Sequence, residues 1–315
     1  MRSQPAILTA VTTLLLIAYP AAGQRASNTQ SKLPQLGAHT FVVNDLVDDP
    51  FIKTYVRNSV GLGNVSDLEV PLAIIGGDTI VGFKGDLLYA LLEFEYQHAV
   101  KDWIAVRGAF NLVGRLGTGV QSLLASGVTA EAGFELGWLI KLVRTDRAML
   151  SGSFNIRNGD VTTINVLRFV EDIINGQPPS LVRTTPSLRG GGGLRYAYGL
   201  SALVGFTVYG ELGYGESIDQ RAASDWYYRA GGAASFNLNG VTPVPIGFSI
   251  GLRGESLPAS DEIDDDIVEI LLRVAYTGSD DFNIGVDVNY GDLPATGLGR
   301  DARLRTVRLN LRYYF

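Results

Sequence analysis

Apolar and polar residues alternate along most of the chain, and the last thirteen residues, 303–315, show the pattern most clearly. One parity carries apolar and aromatic residues, and the other carries polar ones. The first set is Val307, Leu309, Leu311, Tyr313 and Phe315, and the second is Thr306, Arg308, Asn310, Arg312 and Tyr314. A period of two places successive side chains on opposite faces of an extended strand. The stretch therefore predicts a β-strand with one apolar and one polar face.

The same alternation predicts eleven strands from residue 85 onward. They span residues 85–97, 103–115, 127–140, 148–157, 187–199, 202–215, 225–238, 246–256, 267–277, 282–292 and 303–315. A further strand is expected between residues 53 and 83, where 53–62 and 69–75 are both candidates. Short and longer connections alternate between these strands. The pattern thus predicts an all-β protein of twelve strands.

A long, half-apolar strand with nothing after it to cover the apolar row invites aggregation in water. Closing the sheet into a barrel inside a membrane removes this hazard, because the edge is paired and the apolar row faces lipid. The end of this chain resembles that of bacterial outer-membrane β-barrel proteins, whose final strand typically ends in Phe after alternating apolar and aromatic residues. The resemblance implies that outer-membrane lipid surrounds the chain and that the barrel-assembly machinery recognises Tyr313 and Phe315.

This resemblance implies a transmembrane antiparallel up-and-down β-barrel in the bacterial cell outer membrane. Such single-chain barrels have even strand numbers, short periplasmic turns and longer outer loops, so the C-terminus is expected on the periplasmic side. Aromatic residues also fall at both ends of the predicted strands, where the membrane interfaces should lie. A soluble sandwich would alternate too, but the length of the strands and the bare terminal edge disfavour it.

Charged residues occupy the row opposite the apolar one. Eighteen of them, ten Arg and eight Glu or Asp with no Lys, are Glu93, Glu95, Arg107, Arg115, Glu131, Glu135, Arg157, Arg189, Arg195, Glu211, Arg229, Arg253, Glu255, Glu269, Arg273, Asp287, Arg308 and Arg312. We predict that sixteen of these, all except Arg157 and Glu255, line the lumen. The near-equal numbers of Arg and carboxylate residues favour bidentate ion pairs, which would brace the barrel wall and narrow the lumen.

The N-terminus has the three parts of a secretory signal peptide. Arg2 supplies the positive region, residues 7–18 are apolar, and residues 21–23 are small residues suited to cleavage. We therefore expect a signal peptide at 1–23, followed by a segment at 24–52 and a barrel domain at 53–315. The segment 24–52 has no clear period, and either a periplasmic location or a plug inside the barrel would suit it.

Composition limits the other functions. The chain has no cysteine and a net charge of −6, or −7 without the signal peptide, which argues against nucleic acid as a partner. The only histidines are His39 and His98, so neither a histidine- or cysteine-based metal site nor a cofactor is expected. Residues 247–251 match the G-x-S-x-G motif, but Ser249 lies within an alternating strand and no histidine follows it. We therefore expect no enzyme.

Three further features have alternative interpretations. Asp261, Glu262, Asp264, Asp265 and Asp266 form an acidic loop that is read as a solvated outer loop in preference to a cation site, because it lacks the spaced ligands of a calcium loop. Glycines at 190–193 indicate either a barrel corner or room for an inserted segment. Residues 161–175 have helical periodicity, and residues 116–126 could hold a shorter helical turn.

These expectations favour a narrow channel or transporter for a small solute, since twelve strands lie between filled eight-stranded barrels and open porins. The alternative is a non-conducting structural or surface protein. An autotransporter barrel is disfavoured because no passenger of useful size precedes the strands. We also hypothesise that the loop holding the helix at 161–175 folds toward the barrel mouth and restricts it.

Overall fold

The computed structural model describes residues 32–75, 78–116, 127–164, 182–216, 224–256, 266–293 and 302–315. Two short strands, β1 (Gln35–Leu36) and β2 (His39–Thr40), pair with each other. Twelve long strands follow: β3 (Tyr55–Ile75), β4 (Asp78–Lys101), β5 (Ile104–Leu116), β6 (Gly127–Arg144), β7 (Ala148–Ile164), β8 (Val182–Gly199), β9 (Val204–Gly215), β10 (Asp225–Asn237), β11 (Ile246–Ser256), β12 (Asp266–Tyr276), β13 (Phe282–Leu293) and β14 (Ala302–Tyr314). A 3₁₀ turn, Leu238–Gly240, follows β10.

The twelve long strands form a closed antiparallel barrel. Each pairs with the next strand in the chain, and β14 pairs with β3 to close the sheet. In that closing pair, Leu309 lies opposite Val60 and Asn310 lies opposite Ser59. Closure gives every strand two partners, so the apolar terminal strand has no free edge. The predicted twelve-stranded up-and-down barrel is confirmed.

The two faces of the wall differ as the alternation requires. Phe206, Val286 and Leu309 are 42 %, 45 % and 49 % exposed on the outer face. Val286 and Leu309 lie opposite each other, with Val274 and Val60 opposite them on the neighbouring strands. Aromatic pairs lie near the two ends of the wall, with ring centroids 5.6 Å apart for Tyr214 and Trp226 and 5.8 Å apart for Tyr276 and Phe282. A continuous exposed apolar surface edged by aromatic residues is typical of a barrel that faces lipid.

Two details of the strand assignment differ from expectation. Both candidates for the first strand belong to β3, where register shifts near Val65 and Pro71 interrupt the alternation. The predicted helix at 161–175 is wrong at its start, because residues 161–164 continue β7 as Val-Thr-Thr-Ile, and such β-branched residues favour strands. Residues 165–175 lie outside the described residues, as does the helical turn proposed at 116–126 except for Leu116, which ends β5. Within the described part of the chain, no helix is long and apolar enough to cross a membrane.

Candidate functional site: the barrel interior

Most of the charged residues expected on the inward row lie in one polar interior. Eight of them are buried, namely Glu95, Arg195, Glu211, Glu269, Arg273, Asp287, Arg308 and Arg312. Eight more are half-buried, namely Glu93, Arg107, Glu135, Arg157, Arg189, Arg229, Arg253 and Glu255. Arg115 and Glu131 lie in β5 and β6, and their side chains are outside the described part of the chain.

Arginines and carboxylates on different strands form ion pairs across this interior. Arg157 illustrates the pattern: its Nε lies 2.7 Å from Glu135 Oε2, and its Nη2 lies 3.1 Å from Glu211 Oε1. The same kind of pair joins Arg107 to Glu135, Arg229 to Glu255, Arg253 to Glu269, Arg273 to Asp287 and Arg308 to Glu93. Guanidinium groups hold carboxylates in a fixed geometry, so these pairs brace the strands against each other from within.

Residues 33–52, here called the inner segment, lie inside the end of the barrel where the short turns are. Hydrogen bonds from Lys32 N to Asp280 O and from Gly37 N to Asp146 O join its start to two of those turns. Its end returns to the same rim, where Gln97 Nε2 donates to Phe51 O and to Lys53 O, each over 2.9 Å. The segment therefore enters the lumen, turns, and leaves by the same end to begin β3.

Three aspartates near the turn of the inner segment contact arginines of the wall. Asp45 Oδ1 lies 2.9 Å from Arg57 Nη1, and Asp48 Oδ2 lies 3.2 Å from Arg195 Nη2. Asp49 Oδ2 lies 3.1 Å from Arg312 Nη1. Since β3 and β14 lie on one side of the barrel and β8 lies several strands away, the segment connects different parts of the wall.

The carboxyl groups of Asp45 and Asp48 remain ionised inside the lumen. Burial by itself would raise the pKa of Asp45, but Arg57, Arg273 and Arg312 hold it below its ordinary value. Asp48 behaves in the same way: burial opposes ionisation, and Arg195, Arg107 and Arg229 keep its pKa well below the usual range. Paired charges of this kind are costly to separate, because removing one partner leaves the other buried and uncompensated.

His39 fixes the start of the inner segment. Its Nε2 is 3.1 Å from Ser235 Oγ and its Nδ1 is 3.1 Å from Ala202 O. Val42 N–H also donates to Ser235 Oγ over 2.8 Å. Both side chains are buried, with His39 at 0 % and Ser235 at 2 % exposure, and burial lowers the pKa of His39. Ser235 Oγ binds both the His39 ring and the backbone of Val42 in a site that excludes water. The contact between His39 and Ser235 therefore anchors the inner segment to the wall.

Glycines of the wall leave space for side chains of the inner segment. A Cβ added at Gly205 would meet the rings of His39 and Phe41, and one at Gly251 would lie 2.7 Å from Asn44 Nδ2. A Cβ at Gly247 would likewise meet the side chain of Val42. Gly205 and Gly251 therefore need glycine because of the segment, whereas at Gly247 wall atoms of Phe236 and Thr277 also lie within 2.9 Å of the added Cβ.

Apolar contacts complete the packing of the inner segment. Phe41 and Phe51 have ring centroids 5.0 Å apart and belong to a buried cluster with Leu36, Val43, Met149 and Ala197. A second cluster joins Leu46 and Val47 to Tyr209, Ala233 and Leu271 of the wall. Burial of such side chains stabilises each by about 1.5–3 kcal/mol relative to exposure, so the segment is held by much more than its charges.

A cavity of about 410 Å³ lies beyond the inner segment, away from the short turns. Asp45, Leu46 and Asp48 form its floor, and Tyr89, Asn111, Arg157, Arg189, Arg253 and Arg308 are among the wall residues that line it. A void between the segment and the wall, lined by Asn44, Val47, Arg195 and Arg312 among others, has a volume of about 40 Å³. Since a water molecule needs about 10–15 Å³ of such space, this void admits a few waters and no larger solute.

Several inner residues were absent from the sequence prediction. Arg57 lies on β3, within the candidate strand 53–62, and its inward parity with Tyr55 and Ser59 was a usable signal. Asp45 and Asp48 had no such signal, because the inner segment follows no strand or helix period.

Other features singled out in the sequence have structural roles in the described residues. Ser249 of the G-x-S-x-G match is buried within β11, where Asn44 Nδ2 donates to its hydroxyl over 3.2 Å. His98 lies on the exposed face of β4, with Nδ1 3.4 Å from Tyr96 Oη. Gly191 makes room for Glu211 and Tyr227 of the wall. The acidic loop lies outside the described residues except for Asp266, which begins β12.

Comparison with known proteins gives a fold. No protein-family model matches the chain, and no curated protein sequence matches it. Among solved structures, an outer-membrane channel from Pseudomonas putida F1 is similar, with a TM-score of 0.50 and 13 % identity over 87 % of this chain and 99 % of that one. The NanC porin has a TM-score of 0.48 and 10 % identity over 83 % and 100 %, and LpxR from Salmonella typhimurium has 0.45 and 11 % over 82 % and 100 %.

The fold is that of an outer-membrane β-barrel. At these identities the likeness concerns the fold alone, and it agrees with the closed twelve-stranded barrel and its exposed apolar belt. The resemblance inferred from the terminal strand is thus confirmed, and the barrel lies in the bacterial outer membrane. Because short turns of such barrels face the periplasm, the inner segment occupies the periplasmic half of the lumen and the cavity occupies the outer half.

Proposed function

We propose that the protein is a narrow channel for a small polar solute and that the inner segment acts as its plug. The observation that carries the proposal is the path of residues 42–49, which cross the lumen and contact arginines on different parts of the wall. The wall is closed without them, since every long strand pairs with two others. A segment that the barrel does not need for closure can leave or rearrange while the barrel persists.

The proposal assigns roles to the rest of the chain. Residues 1–23 serve as a signal peptide, residues 24–52 as the periplasmic connection and plug, and residues 53–315 as the barrel. Packing and ion pairs oppose departure of the inner segment, so wild-type protein should open rarely or only to small conductance. The charged inward row then lines the path of the solute.

Planar lipid bilayers provide the test. A variant lacking residues 33–51 should show larger and more frequent openings than wild type, because the periplasmic half of its lumen is empty. Full-length Gly205→Leu should show the same change, since a larger side chain there displaces His39 and Phe41. Gly159→Leu is the matched control, because Gly159 faces the lumen near the cavity and a Cβ there would meet only Ser187 Oγ, at 3.6 Å.

The outcomes separate the candidate functions. If both plug variants insert as folded barrels and conduct no better than wild type, the channel proposal fails. If neither wild type nor any variant conducts, the alternative of a non-conducting structural protein is favoured. Heat-dependent migration on gels reports barrel folding in each case.

We also propose that Tyr313 and Phe315 are the signal read by the barrel-assembly machinery. Their ring centroids are 5.0 Å apart on the outer face at the end of the last strand, and Phe315 is 52 % exposed. Deleting Phe315 should therefore reduce the amount of assembled barrel without changing the lumen. Normal assembly of this variant in cells would contradict the proposal.

A further inference from the structure

Charge on the wall and charge on the inner segment are complementary in number. Among the described inward-facing side chains of the strands, rims excluded, ten are Arg and seven are Glu or Asp. The only charged residues of the inner segment are Asp45, Asp48 and Asp49. These three carboxylates bring the acidic total to ten. Without the segment, the described interior of the barrel would have an excess of three positive charges.

Asp45 occupies a site formed by three arginines. Its Oδ1 is 2.9 Å from Arg57 Nη1, 3.5 Å from Arg273 Nη1 and 3.5 Å from Arg312 Nη2. Asn310 Nδ2 also donates to its Oδ2. The side chain of Asp45 is 1 % exposed, so this is a buried carboxylate site.

Asp48 occupies a second site of the same composition on other strands. Arg107 Nη1 lies 3.3 Å from its Oδ1, and Arg195 Nη2 and Arg229 Nη1 lie 3.2 Å and 3.9 Å from its Oδ2. The first site belongs to β3, β12 and β14, whereas the second belongs to β5, β8 and β10. The interior thus has two separate three-arginine sites, each filled by one aspartate of the inner segment.

Two arginines depend on the inner segment for their charge partners. Among the described residues, the carboxylates paired with Arg312 are Asp45 and Asp49, and the one paired with Arg195 is Asp48. A buried guanidinium is costly without an anion. When the segment leaves, both arginines need another anion, and a guanidinium matches a carboxylate group in geometry as well as charge.

We infer that the channel passes small organic anions that carry carboxylate groups, and that Asp45 and Asp48 occupy the positions of the solute's carboxylates in the closed state. This inference rests on the proposed plug and names the solute class for it. The inner segment then competes with the solute for the same two arginine sites. Carboxylate solutes would favour the open state because they bind the arginines that the segment releases.

The first test is chemical rescue in the full-length protein. Asp48→Ala removes the carboxylate from the second site and leaves the space that it filled, so the thermal midpoint of the barrel should fall. Acetate should restore part of the loss, whereas acetamide and chloride at matched ionic strength should restore less. The matched control is Asn44→Ala, which removes a polar side chain of the same segment that contacts Ser249 rather than arginine. Acetate should not act specifically on the control or on wild type.

A lack of specific rescue would overturn the inference: if acetate stabilises Asp48→Ala no more than acetamide and chloride do, the arginines are not a site for free carboxylates. This test needs no conductance, so it decides whether the arginines bind free carboxylates independently of whether the protein is a channel.

Ion selectivity is the second test, measured on openings of full-length wild type and Gly205→Leu in a potassium chloride gradient. The reversal potential should shift toward the chloride equilibrium potential, and succinate added on one side should reduce chloride current by competing for the sites. Replacing Arg195 and Arg312 together by Gln in the Gly205→Leu protein should weaken both effects. A cation-selective or unselective pore would overturn the inference while leaving the channel proposal intact.

Discussion

The two halves of the lumen are made from the same barrel strands but differ in what occupies the space inside the wall, which is the inner segment in one half and a cavity in the other. In the periplasmic half, Gly205, Gly247 and Gly251 face the inner segment, and small residues such as Ser235 and Ser249 bind it. In the outer half, long side chains including Arg157, Arg189, Arg253 and Tyr89 face the cavity. The wall therefore has room for the inner segment in one half, whereas in the other half its long side chains surround a cavity of about 410 Å³.

This difference identifies which interactions depend on the inner segment. In the outer half, ion pairs join one wall strand to another, as Arg157 does with Glu135 and Glu211. In the periplasmic half, Arg195 and Arg312 pair with aspartates of the segment. Loss of the segment should leave the outer network nearly unchanged and should remove charge partners only from the periplasmic half.

The largest expected difference between the halves is in stability. Asp45→Asn should lower the free energy of unfolding by about 3 kcal/mol, because it removes one partner from a buried charge cluster. Glu93→Gln is the comparison at the cavity, where the side chain is 24 % exposed and lies 3.2 Å from Arg308 Nη1 and 3.6 Å from Arg57 Nη2. It should cost about 1 kcal/mol or less, since partial exposure lets water screen the pair.

Urea unfolding followed by tryptophan fluorescence or gel migration would compare the two variants. Equal losses would mean that the inner segment contributes no more to the stability of the lumen than an ordinary pair of the wall does.

A smaller effect is expected in chemical accessibility. Asn111→Cys lies at the cavity and should react with a water-soluble thiol reagent added to whole cells. Ser249→Cys lies beneath the inner segment, where Ser249 is 1 % exposed, and should react slowly. Removing residues 33–51 should make the second cysteine reactive and leave the first unchanged. Rapid labelling of Ser249→Cys in the full-length chain would show that the periplasmic half is open.

The wall could be predicted from the sequence because lipid imposes one rule on every strand. Each residue that faces lipid must be apolar, so the period of two persists through strands such as β14 and β11. The prediction weakened where that rule was interrupted, as in β3 at Val65 and Pro71. At residues 161–164, the spacing of the apolar residues suggested a helix. Val161 instead pairs with Glu131 of β6 and Thr185 of β8, so these residues form part of a strand.

The sequence offered a plug as one of two locations for the inner segment, but its contacts could not be predicted because no periodic rule governs it. Phe41, Asp45 and Val47 each contact a different part of a curved interior, so the position of a residue in the segment says nothing about the face it meets. The balance of charge was hidden as well, because Arg57 lay in an unassigned strand. Only the closed barrel brings Arg57, Arg273 and Arg312 together around Asp45.

The smallest expected effect concerns pH at the entrance of the inner segment. His39 is buried, its described partners Ala202, Ser235 and Phe41 carry no charge, and burial lowers its pKa below the usual value of 6.5. With Nδ1–H donating to Ala202 O, the other ring nitrogen, Nε2, accepts a hydrogen bond from the Ser235 hydroxyl. Protonation would place a second N–H against that hydroxyl, which already accepts a bond from Val42 N.

The sign of the pH effect follows from the lowered pKa. The unfolded chain binds the proton more readily than the folded chain does, so the contribution of His39 to stability is present above about pH 6.5 and declines as the pH falls below it. The thermal midpoint of wild type should therefore decrease on acidification through this range, beyond the change caused by other groups. His39→Gln can keep a donor and an acceptor without titrating, so its midpoint should vary less over the same range. A pH profile for His39→Gln that parallels wild type would mean that His39 does not control the anchoring of the inner segment.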